Sequence, residues 1–310
     1  MLHYLAQRLV GALSVLFVVS VVSFGLYALT PGDPAVVLLE ASGIHSPPRE
    51  AVEAKRAELH LGDPLPVQYL SWVAGALHGD FGRSFRSYTP VTDLYLSRIG
   101  ATALLAAVST LLSVLVALPL GVLAAYQRGR IADRIAQIIV ALGGSVPGFW
   151  IGLLLILLFA VQLHLLPAFG SPTPQGIVLP AIVLAVANIA VLTRLTRASV
   201  LDVLGQEFVT VARAKGLAER AVTVRHVLRN TYVPMLTVLG LVFANLMVGT
   251  AVVEYVFAWP GIGRLAVDSA LLRDQPVVVG FTVAAGLIFT VMNLLVDVGI
   301  AALDPRVRSA

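Results

Sequence analysis

Ile99-Gly-Ala-Thr-Ala-Leu-Leu-Ala-Ala-Val-Ser-Thr-Leu-Leu-Ser-Val-Leu-Val-Ala-Leu-Pro-Leu-Gly-Val-Leu-Ala-Ala-Tyr126 runs for 28 residues without one charged side chain. A helix rises 1.5 Å per residue, so about 20 apolar residues cross a hydrocarbon core of about 30 Å. Inside lipid every backbone N–H and C=O must find its partner within the chain, which makes such a run a helix. Five further runs have the same character: Leu9–Leu29, Ile135–Gln162, Ile177–Leu192, Val233–Phe257 and Val277–Leu303. The expected fold is therefore all-α, a polytopic membrane protein with six transmembrane helices.

The composition around these runs agrees. Of 310 residues 58% are hydrophobic and 12% are charged, against about 25% charged in a soluble domain. The net charge of +4 is too small to point to nucleic acid once the basic bias of membrane loops is allowed for. There is no cysteine, which excludes disulfides, zinc-thiolate sites and a Cys nucleophile. Lysine occurs only at Lys55 and Lys215, neither within a Gly-x-x-x-x-Gly-Lys loop, so any ATP chemistry belongs to a partner. No His-Glu-x-x-His zinc motif and no nucleophile-base constellation is present, and no enzyme is expected. The first run is longer than the 7–15 residues of a signal-peptide core and has no small-x-small cleavage pattern after it; a retained span is expected.

Basic residues set the orientation. With a cytoplasmic N-terminus the inner segments hold thirteen Arg and Lys and the outer segments eight. The short loop Gln127–Arg134 holds three of the inner set, whereas His164–Gly176 holds none. The positive-inside rule then places both termini in the cytoplasm. Residues 1–30 form the N-terminus and first span. Residues 31–98 form an extracytoplasmic segment, and residues 99–310 a five-helix core with a cytoplasmic loop over 193–232. The extracytoplasmic segment carries a predicted helix from Ser46-Pro47 to Leu61, capped by Gly62. A second, Val67–Leu77, shows Tyr69 and Trp72 on one face. It is either a lid on the outer leaflet or a surface for an extracytoplasmic partner.

The cytoplasmic loop has seven basic and three acidic residues. A helix from Glu207 to Lys215 ends at Gly216, a residue free to take the left-handed cap, and Leu217 supplies the apolar contact usual after it. A second helix places Ala221, Val224, Val227 and Leu228 on one side and Arg225 and Arg229 on another. Asn230 and Pro234 close the loop. Charge alone is also compatible with a basic flank that only sets topology; the glycine cap and the helix pair favour a compact knob that fits a socket on a partner.

Ala212-Arg-Ala-Lys-Gly216-Leu217, with His226, Arg229-Asn230 and Pro234 behind it, resembles the EAA loop of binding-protein-dependent ABC importers. The resemblance is closest to the dipeptide/oligopeptide/nickel permease family and extends along nearly the whole chain. It includes Leu29-Thr-Pro-Gly-Asp-Pro-Ala35, Leu61-Gly-Asp-Pro-Leu-Pro-Val-Gln-Tyr69, Gly79-Asp-Phe-Gly-Arg-Ser84, Val146-Pro-Gly-Phe-Trp150, Phe257-Ala-Trp-Pro-Gly-Ile-Gly263 and Asp304-Pro-Arg306. The name-giving Glu-Ala-Ala reads Ala212-Arg213-Ala214, so no acidic role carries over to Arg213. The resemblance implies the type I ABC importer permease architecture. It also implies a second permease, two ATP-binding subunits that hold the ATP and Mg, and an extracytoplasmic solute-binding protein. Residues Ala212–Leu217, His226 and Arg229 would couple to the ATPase. The implied cargo is a dipeptide or oligopeptide, with a nickel chelate or sugar as alternatives. The chain's four methionines do not cluster and it has no cysteine, which favours peptides over free metal.

Polar and helix-breaking residues inside the runs mark a candidate path. A charge at the bilayer centre costs at least ~2.5–3.5 kcal/mol, so Glu254 and Asp297 face an interior, a cavity or, for Asp297, the inner interface. Asn245 and Asn293 are available polar partners. Gly143-Gly-Ser-Val-Pro-Gly148 predicts a kink or break at Pro147, a feature that lines substrate paths in many transporters and is elsewhere harmless. Trp259 is either an interfacial anchor or, through the resemblance, part of an outer gate. Pro147, Phe149, Asn245, Glu254 and Trp259 are the path or gate candidates. A stand-alone secondary transporter using Glu254 and Asp297 is the competing reading; it predicts internal inverted repeats, which the sequence does not display.

Overall fold

The computed structural model describes residues 2–29 and 32–303; Asp304-Pro-Arg306 lies outside them, as do Thr30 and Pro31. The regular elements among the described residues are helices. In chain order they are α1 (Leu2–Leu29), α2 (Pro34–Ala41), α3 (Arg49–Glu58), α4 (Leu65–Leu77), α5 (Val91–Tyr126), α6 (Ile131–Ser145) and α7 (Gly148–Leu155). After α7 come a π-helical stretch, Ile156–Gln162, then α8 (Val178–Leu204), α9 (Glu207–Ala214), α10 (Glu219–Val222) and a second π-helical stretch, Thr223–Leu228. The last are α11 (Arg229–Gly249), α12 (Ala251–Val256), α13 (Ile262–Leu271) and α14 (Gln275–Leu303).

Among the described residues α5, α8 and α14 are each long and apolar enough to cross a membrane alone. Three bent pairs bring the number to six when each counts as one span: α1 with α2 at 71°, α6 with α7 and its π turn at 98°, and Glu219–Tyr232 with Pro234–Gly249 at 53°. Two register comparisons support counting α6 and α7 together. The Ser113 hydroxyl donates to the Ala185 carbonyl at 3.4 Å, and eight residues on, Gly121 lies against Thr193 and Thr196, so α5 and α8 run parallel. Asp133, Gly143 and Gly148 meet Arg197, Val186 and Val183 in turn, so α6 and the start of α7 run antiparallel to α8. Two parallel spans require the segment between them to cross an odd number of times.

The chain divides into two compact units, residues 1–100 with 261–290 and residues 101–260 with 291–310. In the first, Asp33 caps α2 by accepting the Ala35 N–H at 3.0 Å and pairs with Arg56 at 2.9 Å. The predicted helix to Leu61 is shorter than expected. It ends at Glu58, and His60 rather than Gly62 takes the left-handed position, with φ of 53°; the Leu61 N–H closes on the Arg56 carbonyl at 3.0 Å. Tyr69 and Trp72 do share a face of α4, but that face packs on α1. Phe24 meets Tyr69 edge-on and Trp72 at a tilt, at ring-centroid distances of 5.5 and 6.1 Å, and the Tyr69 hydroxyl bonds Ser20 at 2.8 Å. The loop before α5 is clasped from α13–α14. Asp274 accepts the Ser84 hydroxyl and, at 2.9 Å, the Phe85 N–H, while the Tyr95 hydroxyl donates to the Val277 carbonyl at 2.7 Å.

The second unit departs from expectation at its helix ends. The fourth span does not stop at Leu192. Helix α8 continues to Leu204 and carries Arg194 and Arg197 into the segment read as loop; Thr193 and Thr196 are buried against α5, so tertiary packing extends the helix beyond its apolar run. The third span breaks where Gly-Gly-Ser-Val-Pro-Gly predicted. Val146 and Pro147 are extended, with ψ of 128° and 132°, as proline and the residue before it favour. Pro234 does not end the second loop helix. It bends a helix that continues from the loop into the fifth span.

Candidate functional site

The hairpin α9–α10 is built by a cap, an ion pair and a small core. Gly216 has φ of +78°. Its N–H bonds the Arg213 carbonyl at 2.9 Å, and the Leu217 N–H reaches the Ala212 carbonyl at 3.4 Å, the double closure of a Schellman cap. Glu219, opening α10, receives two bonds from the Arg213 guanidinium, at 3.1 and 2.6 Å. That contact holds the Glu219 carboxyl below its ordinary range and raises the guanidinium. Val209, Ala212, Val222 and Val227 form a buried cluster with Ala125 of α5 and Val200 of α8. Tyr126, the last residue of α5, bonds the Thr223 hydroxyl at 2.7 Å. The hairpin is thereby seated on the C-terminal ends of α5 and α8.

The predicted apolar side of the second helix is corrected at Val224, which is 56% exposed, while Val222 and Val227 are buried. The turn Thr223–Leu228 is π-helical, with i→i+5 bonding. That register brings residues five apart onto one face, which 3.6 periodicity does not. Of the coupling candidates, Ala212 is internal and Arg213 braces the hairpin. Ala214, Lys215, Gly216, Leu217 and Arg229 are exposed, and His226 is half-buried beside Phe208. With exposed Phe208, Val211 and Val224 they present an apolar and basic surface on one knob.

The path candidates separate into two groups. Glu254 and Trp259 are fully buried. Thr250, between α11 and α12, donates its hydroxyl to Glu254 Oε1 at 2.9 Å, and Thr102 of α5 donates to the same oxygen at 2.7 Å. The Trp259 N–H returns to the Glu254 carbonyl at 2.8 Å, and its indole N–H bonds the Ala101 carbonyl at 3.0 Å. The indole lies so close to Gly170 that a Cβ there would stand 2.9 Å from Trp259 Cε3. Trp259 is therefore a packed internal side chain, and the interfacial-anchor reading is set aside. Phe257 packs on Gly152 of α7, where a Cβ would meet its ring at 3.1 Å, so the stretch after the fifth span locks against the broken third one. Pro147, Phe149 and Asn245 are exposed on this chain and are not part of that cluster. Asp297 lies half-buried in the last third of α14.

Residues 117–309 match the family model described as "Binding-protein-dependent transport system inner membrane component". Residues 1–106 match its companion, "Binding-prot-dependent transport system membrane comp, N-term". The chain belongs to this family of inner-membrane transport components. Among similar proteins are the Glutathione transport system permease protein GsiC of Escherichia coli (strain K12) and that of Shigella flexneri serotype 5b (strain 8401). Each is 41% identical over 310 residues, with 99% of both chains covered. Two solved structures share the fold. An inward-facing MetNI methionine ABC transporter has a TM-score of 0.58 at 18% identity, covering 68% of this chain and 96% of that one. An amino acid ABC transporter with histidines has a TM-score of 0.53 at 19% identity, covering 69% and 94%. The permease has the type I ABC importer architecture, is a multi-pass inner-membrane protein, and works with a partner ATPase and a binding protein.

Three interactions escaped the sequence reading. The Asp133–Arg197 pair joins residues 64 apart, and the Asp274 clasp on Ser84 joins residues 190 apart. Thr102 and Thr250 resembled ordinary span residues until their shared acceptor was located. Asp274-Gln-Pro before an apolar run was a helix-start signal, and it was the one usable clue.

Proposed function

We propose that this permease is one half of a heterodimer through which short peptides, glutathione-like tripeptides among them, enter the cytoplasm. Identity of 41% along the full length to a glutathione permease is the observation that carries the substrate class. An extracytoplasmic binding protein delivers the peptide, and two ATP-binding subunits supply the energy; ATP and Mg are bound by those subunits, and this chain needs no cofactor of its own. Both termini are cytoplasmic, consistent with the excess of basic residues in the segments then placed inside.

The coupling element is the hairpin α9–α10. Closure of the ATPase dimer pulls on the exposed face around Lys215, Gly216 and Leu217. The Arg213–Glu219 pair and the cluster of Val209, Ala212, Val222 and Val227 make the hairpin move as one body. Since the loop helix continues into the fifth span, the pull reaches the buried Glu254–Trp259 stretch and, through Phe257, the broken third span. Pro147, Phe149 and Asn245 then line the path or face the second permease. ATP shifts the equilibrium only as far as it binds the two arrangements differently.

The test is affinity purification of the chain from its native membrane in mild detergent, with mass spectrometry of its companions. A second permease and ATP-binding subunits are expected. Recovery of two copies of this chain with no second permease contradicts the heterodimer. A companion binding protein that takes up a nickel chelate or sugar and no peptide contradicts the substrate class.

A further inference from the structure

Helices α1 and α14 touch and then part. At Gly286 a Cβ would meet Val19 and Leu16 of α1 at 3.4 and 3.7 Å. Toward the start of α14 the two helices leave a cavity of about 320 Å³, lined by Ser23, Leu26 and Tyr27 on one side and Val278, Val279 and Thr282 on the other, with Gln275 and Arg273 at its mouth. The pairing is antiparallel: Val19 meets Gly286, while Ser23 and Tyr27, later in α1, share the cavity with Val278 and Thr282, earlier in α14. The opening is thus a wedge between two membrane helices that widens where the apolar part of α14 begins.

Two features make the mouth of this wedge attractive to an anion. Arg273 is exposed, and among the described residues no carboxylate pairs with its guanidinium. Its backbone is left-handed, with φ of 56°, as the residue that closes α13, where its own N–H bonds the Ala270 carbonyl at 3.2 Å and the Asp274 N–H bonds the Ser269 carbonyl at 2.8 Å. Beside it is the N-terminal end of α14, a helix of 29 residues whose dipole is positive there. Asp274, which stands at the cap position, gives both carboxylate oxygens to the Ser84 hydroxyl and the Phe85 N–H. Below these charges the walls turn apolar, with the hydroxyls of Tyr27 and Thr282 between.

An exposed arginine with no carboxylate partner at the edge of an apolar span, over an apolar slot between two helices, matches one kind of ligand. We propose that the α1–α14 wedge binds a phospholipid of the surrounding membrane, its phosphate against Arg273 and the start of α14 and one acyl chain along Leu26, Val278 and Thr282. Basic pockets between membrane helices select anionic headgroups by the same physics. The lipid would fill the wedge above the Gly286 contact and so fix the spacing of the first and last membrane helices.

The test uses the full-length permease, purified with its companions and exchanged into detergent. Phosphatidylglycerol added back should raise the unfolding temperature of the wild type, and inorganic phosphate at equal concentration should not. Phosphatidylglycerol retained per protein should fall about fivefold in Arg273→Gln and similarly in Leu26→Trp, which blocks the slot from an exposed position. Arg264→Gln, which removes the cation within α13, should retain wild-type lipid. Wild-type retention in both wedge variants overturns the proposal, and so does a shift reproduced by inorganic phosphate, which would assign the mouth to a free anion. If Leu26→Trp does not fold, Arg273→Gln, a change at an exposed side chain, decides alone.

Discussion

Arg197 of α8 grips Asp133 at the start of α6 through two parallel bonds, Nε to Oδ1 at 2.7 Å and Nη2 to Oδ2 at 2.8 Å. The same carboxylate accepts the Gly129 N–H at 2.9 Å and the Gln137 amide at 3.0 Å. One side chain therefore ties the short basic loop, the third span and the C-terminal extension of the fourth. Forked Arg–carboxylate pairs are geometrically specific, so lysine is not an equivalent of Arg197. Arg197→Lys is expected to lower the unfolding temperature of the purified permease by a few degrees, and Asp133→Ala by more. The double variant should lose less than the sum, as a thermal-shift mutant cycle would measure.

Gly216 has open space where a Cβ would go, and only its φ of +78° resists substitution. A β-branched residue there meets a backbone penalty of about 1–2 kcal/mol and is expected to unwind the cap. Gly216→Val should insert in the membrane at normal levels and lose most ATP-coupled uptake, whereas Gly216→Asn should keep a large part of it. Uptake in membrane vesicles, normalised to permease content, measures both.

The Arg213–Glu219 pair predicts a pH dependence. The Glu219 carboxyl is depressed by the guanidinium beside it, so its contribution is fully present above the ordinary carboxyl pKa, near 4.5. It is lost as pH falls through the lower value of the folded state. Amide exchange at Gly216 and Leu217 is expected to quicken, beyond its intrinsic pH trend, as pH is lowered through that window. Glu219→Gln should remove the excess.

Glu254 is a buried acceptor shared by Thr102 and Thr250. Truncation to Ala leaves both hydroxyls without that oxygen, which costs about 1–3 kcal/mol for each buried group left unsatisfied. Glu254→Gln retains an acceptor oxygen at the same place and is expected to keep most of the stability. Thermal stability by size-exclusion chromatography separates the two. If Glu254→Gln is stable yet transports no peptide, its charge serves the path as well as the packing.

Much of this molecule was legible in its sequence because the bilayer leaves few choices. Apolar runs from Ile99 and Val277 became helices from Val91 and Gln275, and the break at Pro147 and the cap at Gly216 fell where glycine and proline require them. Helix ends were harder to read. The fourth apolar run ends at Leu192, yet Thr193 and Thr196 pack against α5 and draw the helix on to Leu204. Val224 was placed inside by 3.6 periodicity, which a π turn does not obey. Pairs such as Asp133–Arg197 and Asp274–Ser84 depend on which helices become neighbours, and no local pattern carries that information. The role of Trp259 was undecided for the same reason, since its partners are Ala101 and Gly170.

The central claim is ATP-driven import of a peptide by a permease that depends on its partners. The direct measurement is uptake of labelled glutathione and a labelled dipeptide into proteoliposomes holding the purified complex, with ATP inside and the binding protein outside. The account predicts uptake of at least one of them only when ATP, the ATP-binding subunits and the binding protein are all present, and none with this chain alone. Transport by this chain alone, without ATP, would contradict it and restore the secondary-transporter reading of Glu254 and Asp297.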